Sequence, residues 1–113
     1  MSRLLELQQE FAQKFADFIG RLYIAGYKVT YGEAYRTPEQ AALNAKKGIG
    51  SKNSLHCDRL AMDINLFLNG KYLTKTEDYK VAGEIWEGMG GAWGGRFTRP
   101  DGNHFSIAFM GRK

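Results

Sequence analysis

Two short segments of the chain carry the residue types that could hold one metal ion. The chain has only two histidines, His56 and His104, and a single cysteine, Cys57. Asp63 follows the first histidine in the same segment. Two imidazoles and one carboxylate are a ligand set that catalytic zinc sites use, with the fourth position left for water, whereas a site built on several cysteines is excluded. His56, Asp63 and His104 therefore predict a zinc site of the kind found in metallohydrolases.

Hydrolysis at such a site also needs a base, and two aspartates are candidates. Asp101 precedes His104 in a segment rich in turn-forming residues, from which its carboxylate could face the metal. Asp101-Gly102-Asn103 could also be only a turn, because these residue types are the ones that turns use. Asp58 lies between the two ligands of the first segment and is the alternative. The sequence favours Asp101 as the base and leaves Asp58 open.

Three further residues could assist the reaction or bind the substrate. Arg36 follows a predicted strand and could stabilise a developing oxyanion, unless it is an ordinary surface ion-pair residue. Ser54 and Trp93 are candidate substrate-binding residues. Ser54 could instead cap a turn, and Trp93 is favoured as a packing residue by a small margin. Cys57 is interpreted as a small buried side chain.

The elements that must position these residues follow from the spacing of apolar side chains. Asp63 and His104 fall on the polar sides of two predicted strands, so both would face one cleft if those strands are neighbours. His56 would then reach the cleft from the preceding loop. The pattern predicts, in chain order, a helix at 3–25, a strand at 27–31, a helix from 37 to about 47, a loop at 48–53, a strand at 61–68 with a hairpin return at 71–73, a helix at 77–88, a tight glycine-rich turn at 88–95 and a strand at 104–109.

Composition limits the classes of protein and partner that fit the chain. We expect residues 1–113 to form a single domain and a monomer, with the predicted elements arranged as a small antiparallel sheet packed against the N-terminal helix and further short helices. The net charge of +4 comes without a block of like charges, so nucleic acid is not the expected partner. No apolar run of about 20 residues is present, so membrane insertion is not expected either.

The metal motif resembles a known peptidase family. Ser54-x-His56-x6-Asp63, followed by Asp101-x-x-His104, is similar to the zinc peptidases that include bacterial D-alanyl-D-alanine carboxypeptidases and phage L-alanyl-D-glutamate endolysins. The resemblance implies the small α+β fold shared with the hedgehog signalling domain. It also implies that the two histidines and Asp63 bind zinc and that Asp101 acts as general base and acid.

The resemblance extends upstream and has two departures. Tyr35-Arg36-Thr37 resembles the family's arginine segment, which implies that Arg36 polarises the scissile carbonyl. Arg59 stands where the family often has glycine, three residues after the first histidine. The acidic catalytic residue of the family is often glutamate, and the aspartate at Asp101 resembles the phage branch.

Family resemblance implies a peptidase that cuts D-amino-acid-containing peptides of peptidoglycan, with the L-alanyl-D-glutamate bond as the expected target. The N-terminal residues lack an apolar signal core. We therefore expect a phage-type enzyme that is made in the host bacterial cytoplasm and acts on the cell wall after release through a membrane pore. The alternatives are a D,D-carboxypeptidase or dipeptidase, and a non-catalytic zinc-stabilised module that binds the cell wall or belongs to a virion.

Overall fold

The computed structural model describes residues 2–50 and 53–113. Part of the predicted loop at 48–53, residues 51 and 52, lies outside the described residues. The helices are α1 Arg3–Ile24, α2 Pro38–Lys46 and α3 Lys80–Gly88, and the strands are β1 Tyr27–Tyr31, β2 Ala61–Leu68, β3 Lys71–Tyr72, β4 Ala92–Trp93 and β5 His104–Ser106. Short 3₁₀ turns lie at Leu55–Asp58, Thr76–Tyr79 and Gly94–Arg96. The predicted α+β class is confirmed.

The first helix begins and ends where its local chemistry requires. The Ser2 hydroxyl accepts a hydrogen bond from the Leu5 amide at 3.1 Å, which satisfies one of the free N–H groups of the first turn. Gly26 follows the helix with a φ of +97°, a conformation that glycine adopts without strain. The predicted apolar stripe is the buried face of α1, and its buried members are Leu7, Phe11, Phe15, Phe18 and Leu22.

The sheet is antiparallel throughout, and β2 is its central strand. The order is β1-β2-β5-β4, with β3 paired to β2 through the Asn69-Gly70 hairpin. The C-terminal part of β2 pairs with β1, and its N-terminal part pairs with β5. In this register Asp63 lies directly opposite His104. The two predicted strands are therefore neighbours, which is the condition under which Asp63 and His104 were expected to face one cleft.

An aromatic core packs α1 and α3 against the sheet, beneath the paired segments of β2 and β5. Phe18 packs on Phe105 with ring centroids 5.1 Å apart and on Trp86 with centroids 5.0 Å apart. The Trp86 indole N–H donates to the Ser106 carbonyl at 2.9 Å. Strand β5 is thus held from below by apolar contacts and by one buried hydrogen bond.

Three predicted elements differ from those observed. The last strand ends at Ser106 rather than residue 109. The Ile107 amide still donates to the Leu60 carbonyl at 3.0 Å, but Phe109 then pairs with Arg112 and not with β2. The helix predicted at 77–88 begins as a 3₁₀ turn and becomes α-helical only at Lys80. The glycine-rich stretch at 88–95 contains the short strand β4 in addition to turns.

Membrane insertion was not expected, and within residues 2–50 and 53–113 no helix is long and apolar enough to cross a bilayer.

Two glycines in helices should respond to alanine in opposite directions. A Cβ on Gly83 in α3 would lie 2.1 Å from the Trp93 ring, whereas nothing lies within 4 Å of a Cβ on Gly20 in α1. We expect Gly83→Ala to lower the free energy of unfolding by about 1–3 kcal/mol, as overpacking does. Gly20→Ala should raise it by about 0.5–1 kcal/mol through better helix propensity. Urea denaturation of both variants measures the two changes, and a Gly83→Ala protein as stable as the parent would contradict the packing described.

Candidate metal centre and active site

Three predicted metal ligands lie together in the folded chain. Their candidate donor atoms are all within 4.8 Å of one another in the set His56, Asp63 and His104. Asp63 and His104 meet through the β2–β5 register, and His56 comes from the 3₁₀ turn that precedes β2. Both imidazoles are almost fully buried, at 2% and 5% exposure. These side chains form a single cluster with the composition of a zinc site.

Hydrogen bonding determines which nitrogen of His56 faces the cluster. Its Nδ1 lies 2.8 Å from the Ala34 carbonyl oxygen, which can only accept, so Nδ1 carries the proton and donates. The other nitrogen, Nε2, lies 3.1 Å from Asp63 Oδ1. A ligating histidine normally donates its second N–H to a carbonyl or carboxylate in this way, and the contact orients the ring.

A second imidazole completes the cluster from the opposite strand. His104 Nδ1 lies 3.6 Å from Asp63 Oδ1, and the two imidazole centroids are 5.2 Å apart with ring planes at 73°. The Phe97 ring packs 5.2 Å from the His104 ring. Within the part of the chain that the structure describes, the buried His104 Nε2 has no hydrogen-bond partner. Because His56 Nε2 and His104 Nδ1 are the ring nitrogens that lie beside Asp63 Oδ1, these three atoms are the ones that fit a metal ion.

The 3₁₀ turn that carries His56 ends at Arg59, the residue that stands where the resembling family often has glycine. Arg59 has a φ of +56°, in the left-handed region where glycine is usually found. Its guanidinium lies 4.0 Å from the centroid of the Tyr35 ring, and its amide caps the turn by donating to the His56 carbonyl at 3.4 Å. A cation–π contact of this kind contributes about 0.5–1 kcal/mol at an exposed site and supports the strained residue.

Electrostatic interactions between Asp63 and the two histidines keep the Asp63 carboxylate ionised. Burial raises the pKa of Asp63, but hydrogen bonds and positive charge from His104 and His56 outweigh it and lower the pKa to about 2. Burial lowers the pKa of His56, but its hydrogen bond to Asp63 and that negative charge raise it above the ordinary value. The acidic ligand is thus charged across the physiological range.

Asp101 lies on the wall of the same site. Its amide donates to the Gly94 carbonyl at 2.9 Å, and its carbonyl accepts from the His104 amide at 3.1 Å. A Cβ on Gly94 would lie 2.1 Å from the Asp101 carbonyl oxygen, so only glycine permits this approach. Burial, followed by the charge of Asp63, raises the pKa of Asp101, with nearby positive groups opposing in part. A raised pKa makes the Asp101 carboxylate a stronger base than an exposed aspartate.

The alternative base, Asp58, is engaged elsewhere. Its Oδ2 lies 2.5 Å from Nη2 of Arg112, and its backbone carbonyl accepts from Gln8 Nε2 at 2.8 Å. Asp101 lines the site cleft with both histidines, whereas Asp58 is absent from the described residues that line it. The geometry favours Asp101.

Arg36 lines the cleft and is paired there with Glu33, a residue that was not among the candidates predicted from the sequence. Its guanidinium forms an ion pair with Glu33, with Nε 2.8 Å from Oε1, and only 14% of the Arg36 side chain is exposed. The Glu33 carbonyl also accepts the Asp63 amide at 2.8 Å. A glutamate three residues before the arginine was the only available signal, and such spacing is common without any contact. Glu33 therefore ties Arg36 to the strand that carries a ligand.

The structure assigns the remaining candidates as follows. The Ser54 hydroxyl accepts from the His56 amide at 3.1 Å and also lines the cleft, so capping is its observed contact. Trp93 is 4% exposed, and its indole N–H donates to the Gly102 carbonyl at 2.7 Å. Trp93 does not line the cleft in the described part of the chain, and the packing interpretation replaces the substrate-binding one. Cys57, expected to be buried, is half-buried, because its turn lies at the surface.

The cleft that these residues line, here the main cleft, has a volume of about 1040 Å³. Backbone and side chains of the loop at 97–101 form one wall, and residues 48–50 and 53–54 form another. Four cationic side chains line the main cleft with the carboxylate of Asp101, but Arg36 and Arg112 are ion-paired with Glu33 and Asp58, so Arg99 and Lys113 are the cations that can attract a ligand. The main cleft is thus suited to an anionic substrate.

Metal binding tests the cluster directly. We expect His104→Ala to lose stoichiometric zinc, because one of three converging donors is gone and two rarely hold zinc tightly. Cys57→Ser is the matched control, since it removes the one sulfur near the site and should retain one zinc per chain. Metal analysis after dialysis gives both numbers, and a His104→Ala protein that still holds one zinc would refute the ligand set.

The comparisons with known proteins agree with this geometry. A family model described as D-alanyl-D-alanine carboxypeptidase matches residues 47–107, a segment that contains all three candidate ligands and Asp101. The crystal structure of the Serratia marcescens L-Ala D-Glu endopeptidase ChiX superposes with a TM-score of 0.57 at 22% identity, over 72% of this chain and 67% of that one. This likeness shows the fold. No curated protein sequence matches the chain.

The family match covers more than half of the 113 residues and includes the whole ligand cluster. A chain with this match, this fold and this donor set belongs to the D-alanyl-D-alanine carboxypeptidase family of peptidoglycan metallopeptidases.

Proposed function

We propose that this protein is a zinc-dependent endopeptidase that hydrolyses the L-alanyl-D-glutamate bond of peptidoglycan stem peptides. The observation that carries the proposal is the convergence of His56, Asp63 and His104 in a cleft whose wall bears Asp101. The choice of bond is supported by the similar fold of an L-Ala D-Glu endopeptidase. The choice of metal is supported by the donor set of two imidazoles and one carboxylate.

The metal ligands are orientated before substrate arrives. Ala34 fixes the tautomer of His56, and the strand register fixes Asp63 against His104. Zinc bound by these three side chains would supply Lewis acidity, which polarises the scissile carbonyl and lowers the pKa of water. The protein contributes a nearly buried set of donors that needs little rearrangement.

Asp101 is the proposed general base and acid. It lines the main cleft with His56 and His104, so a water molecule near the ligand cluster is within reach of its carboxylate. The raised pKa of Asp101 makes its carboxylate a stronger base towards the attacking water than a freely exposed aspartate is. It therefore takes the proton from the attacking water and returns it to the leaving nitrogen.

Arg36 is the proposed cation for the substrate carbonyl. Its ion pair with Glu33 and the bond from its own amide to the His56 carbonyl, at 3.2 Å, hold it beside the ligand cluster. A guanidinium fixed in this way stabilises negative charge on the scissile oxygen without the cost of ordering a mobile side chain. Ser54 contributes by capping the turn that presents His56.

The phage type of the enzyme is also part of the proposal. It rests on the aspartate at Asp101, which resembles the phage branch of the family. An enzyme of this type would accumulate in the host cytoplasm and meet its substrate after release through a membrane pore.

A D,D-carboxypeptidase is the second candidate, favoured by the description of the matching family. It would release a single D-alanine from the free end of the stem peptide. The endopeptidase would instead generate a new amino terminus on D-glutamate. Mass spectrometry of digested peptidoglycan separates the two products, and release of free D-alanine alone would replace the proposed bond with the second candidate.

Removal of the metal should abolish digestion of peptidoglycan. A chelator takes away the Lewis acid while Asp101 and Arg36 remain, and these two cannot replace it. We expect no new amino termini in the chelated sample and recovery after one equivalent of zinc is added back. Digestion that continues in metal-free protein would exclude a metal-dependent mechanism.

Substitution of the base should separate catalysis from metal binding. We expect Asp101→Asn to lower kcat by about 10²–10⁴-fold, because the amide cannot accept the proton. The zinc content should stay at one per chain, since Asp101 is not among the converging donors. Steady-state kinetics on a defined stem peptide, together with metal analysis, measure both quantities.

Asp58→Asn is the matched control for this substitution. It weakens a partly exposed ion pair with Arg112 and should leave kcat within about twofold, because such pairs contribute little. A reversed result, with activity lost in Asp58→Asn and kept in Asp101→Asn, would make Asp58 the base.

A further inference from the structure

A second pocket lies on the other side of the loop that carries Asp101. It has a volume of about 330 Å³ and shares Pro100 and Asp101 with the main cleft. The other side chains that matter here come from β3 and the segment after it, namely Tyr72, Thr74 and Lys75. The loop at 100–103 is therefore a ridge between two pockets, with the proposed general base on it.

The ridge is packed in place from both sides. A Cβ on Gly102 would lie 2.6 Å from the Thr76 Cα, so the ridge contacts the backbone beside the second pocket. The Gly102 carbonyl accepts from the Trp93 indole at 2.7 Å, and the Asp101 amide donates to Gly94. The two pockets consequently keep a fixed relation to each other and to the ligand cluster.

A rigid aromatic ring forms part of the second pocket. Tyr72 is 50% exposed, and it stacks on Phe67 with centroids 5.2 Å apart and ring planes at 29°. Its hydroxyl donates to Asn65 Oδ1 at 3.3 Å, and Asn65 in turn donates to Thr30. An exposed, orientated ring beside hydroxyl and amide groups offers both an apolar face and hydrogen bonds to a polar, uncharged ligand.

The two pockets differ in charge. Besides the ion-paired Arg36 and Arg112, the main cleft has two cations, Arg99 and Lys113, beside the carboxylate of Asp101, whereas the second pocket has one charge of each sign, Lys75 and the shared Asp101. An anionic part of a substrate is therefore attracted to the main cleft. A neutral part of the substrate can enter the second pocket without losing any electrostatic attraction. A substrate that binds across the ridge would then place an anionic part in the main cleft and a neutral part in the second pocket.

Peptidoglycan has this asymmetry about the proposed bond. The L-alanine side of the stem peptide is joined to a neutral N-acetylated amino sugar, and the D-glutamate side carries free carboxylates. We infer that the second pocket binds the amino sugar while the main cleft binds the anionic peptide. This inference rests on the proposed function and makes the enzyme selective for stem peptides that are still attached to the glycan.

Two substrates that differ only in the sugar test the inference. One is a stem peptide linked to N-acetylmuramic acid, and the other is the same peptide with an acetylated amino terminus, so that neither has a free amine. We expect kcat/KM to be about tenfold higher for the sugar-linked peptide, the gain that one or two added hydrogen bonds give.

Variants then locate the source of the preference. Tyr72→Ala should lower kcat/KM for the sugar-linked peptide to about the value for the acetylated one and leave the acetylated peptide unaffected. Thr74→Val removes a hydroxyl from the pocket with little change of shape and should reduce the same preference. Tyr31→Ala is the control, because Tyr31 is 61% exposed on β1 and is not among the described residues that line the pocket.

Each outcome decides between stated alternatives. Equal kcat/KM values for the two substrates in the parent enzyme would overturn the inference while the proposed function stands. A loss shared equally by both substrates in Tyr72→Ala and Thr74→Val would also overturn it, because the pocket would then act on catalysis or folding. A loss of kcat/KM shared by both substrates in Lys75→Met would assign the pocket to a carboxylate of the peptide instead, because both substrates carry the same carboxylates. Hydrolysis of neither substrate at the L-alanyl-D-glutamate bond would overturn the proposed function itself.

Discussion

Antiparallel pairing of β2 with β5 is the constraint on which the site depends. Asp63 and His104 are separated by 41 positions in the printed sequence, and only this register puts them directly opposite each other. Because side chains alternate along a strand, a shift of one residue would turn one of them away from the cleft. The aromatic core beneath the sheet opposes such a shift, since it fixes Phe105 against Phe18 and ties Ser106 to Trp86. The apolar face of β5 thus determines where its polar face meets β2.

Glycine allows the surrounding loops to approach this framework closely. Gly94 admits the carbonyl of Asp101, and Gly102 admits the backbone of Thr76. The same residue that is proposed to move protons therefore lies on a segment whose position is set by packing on two sides. In physical terms, the site combines a cluster of candidate metal ligands held by strand register with a proposed base held by close backbone contact. Neither requires a long or flexible loop.

Much of this arrangement could be predicted from the sequence, because it follows from periodicity. Alternation in two strands placed Asp63 and His104 on polar faces, and the spacing of apolar side chains located the helices. The parts that could not be predicted depend on contacts between distant segments. The ion pair of Arg36 with Glu33 and the enclosure of Trp93 by glycines leave no periodic signal. The left-handed conformation of Arg59 likewise depends on its contact with Tyr35.

The hydrogen bond from His56 to the Ala34 carbonyl has a consequence for how this protein can diverge. A backbone acceptor is present whatever side chain occupies position 34, so no point substitution there can delete it. The pair of Arg36 with Glu33 is different, because one base change in either codon can remove it. Mutation can therefore alter the charge of the cleft and the peptides it accepts while the orientation of the histidine is inherited unchanged. The orientation of His56 is thus insensitive to the side chain at position 34, whereas the charge beside it is not.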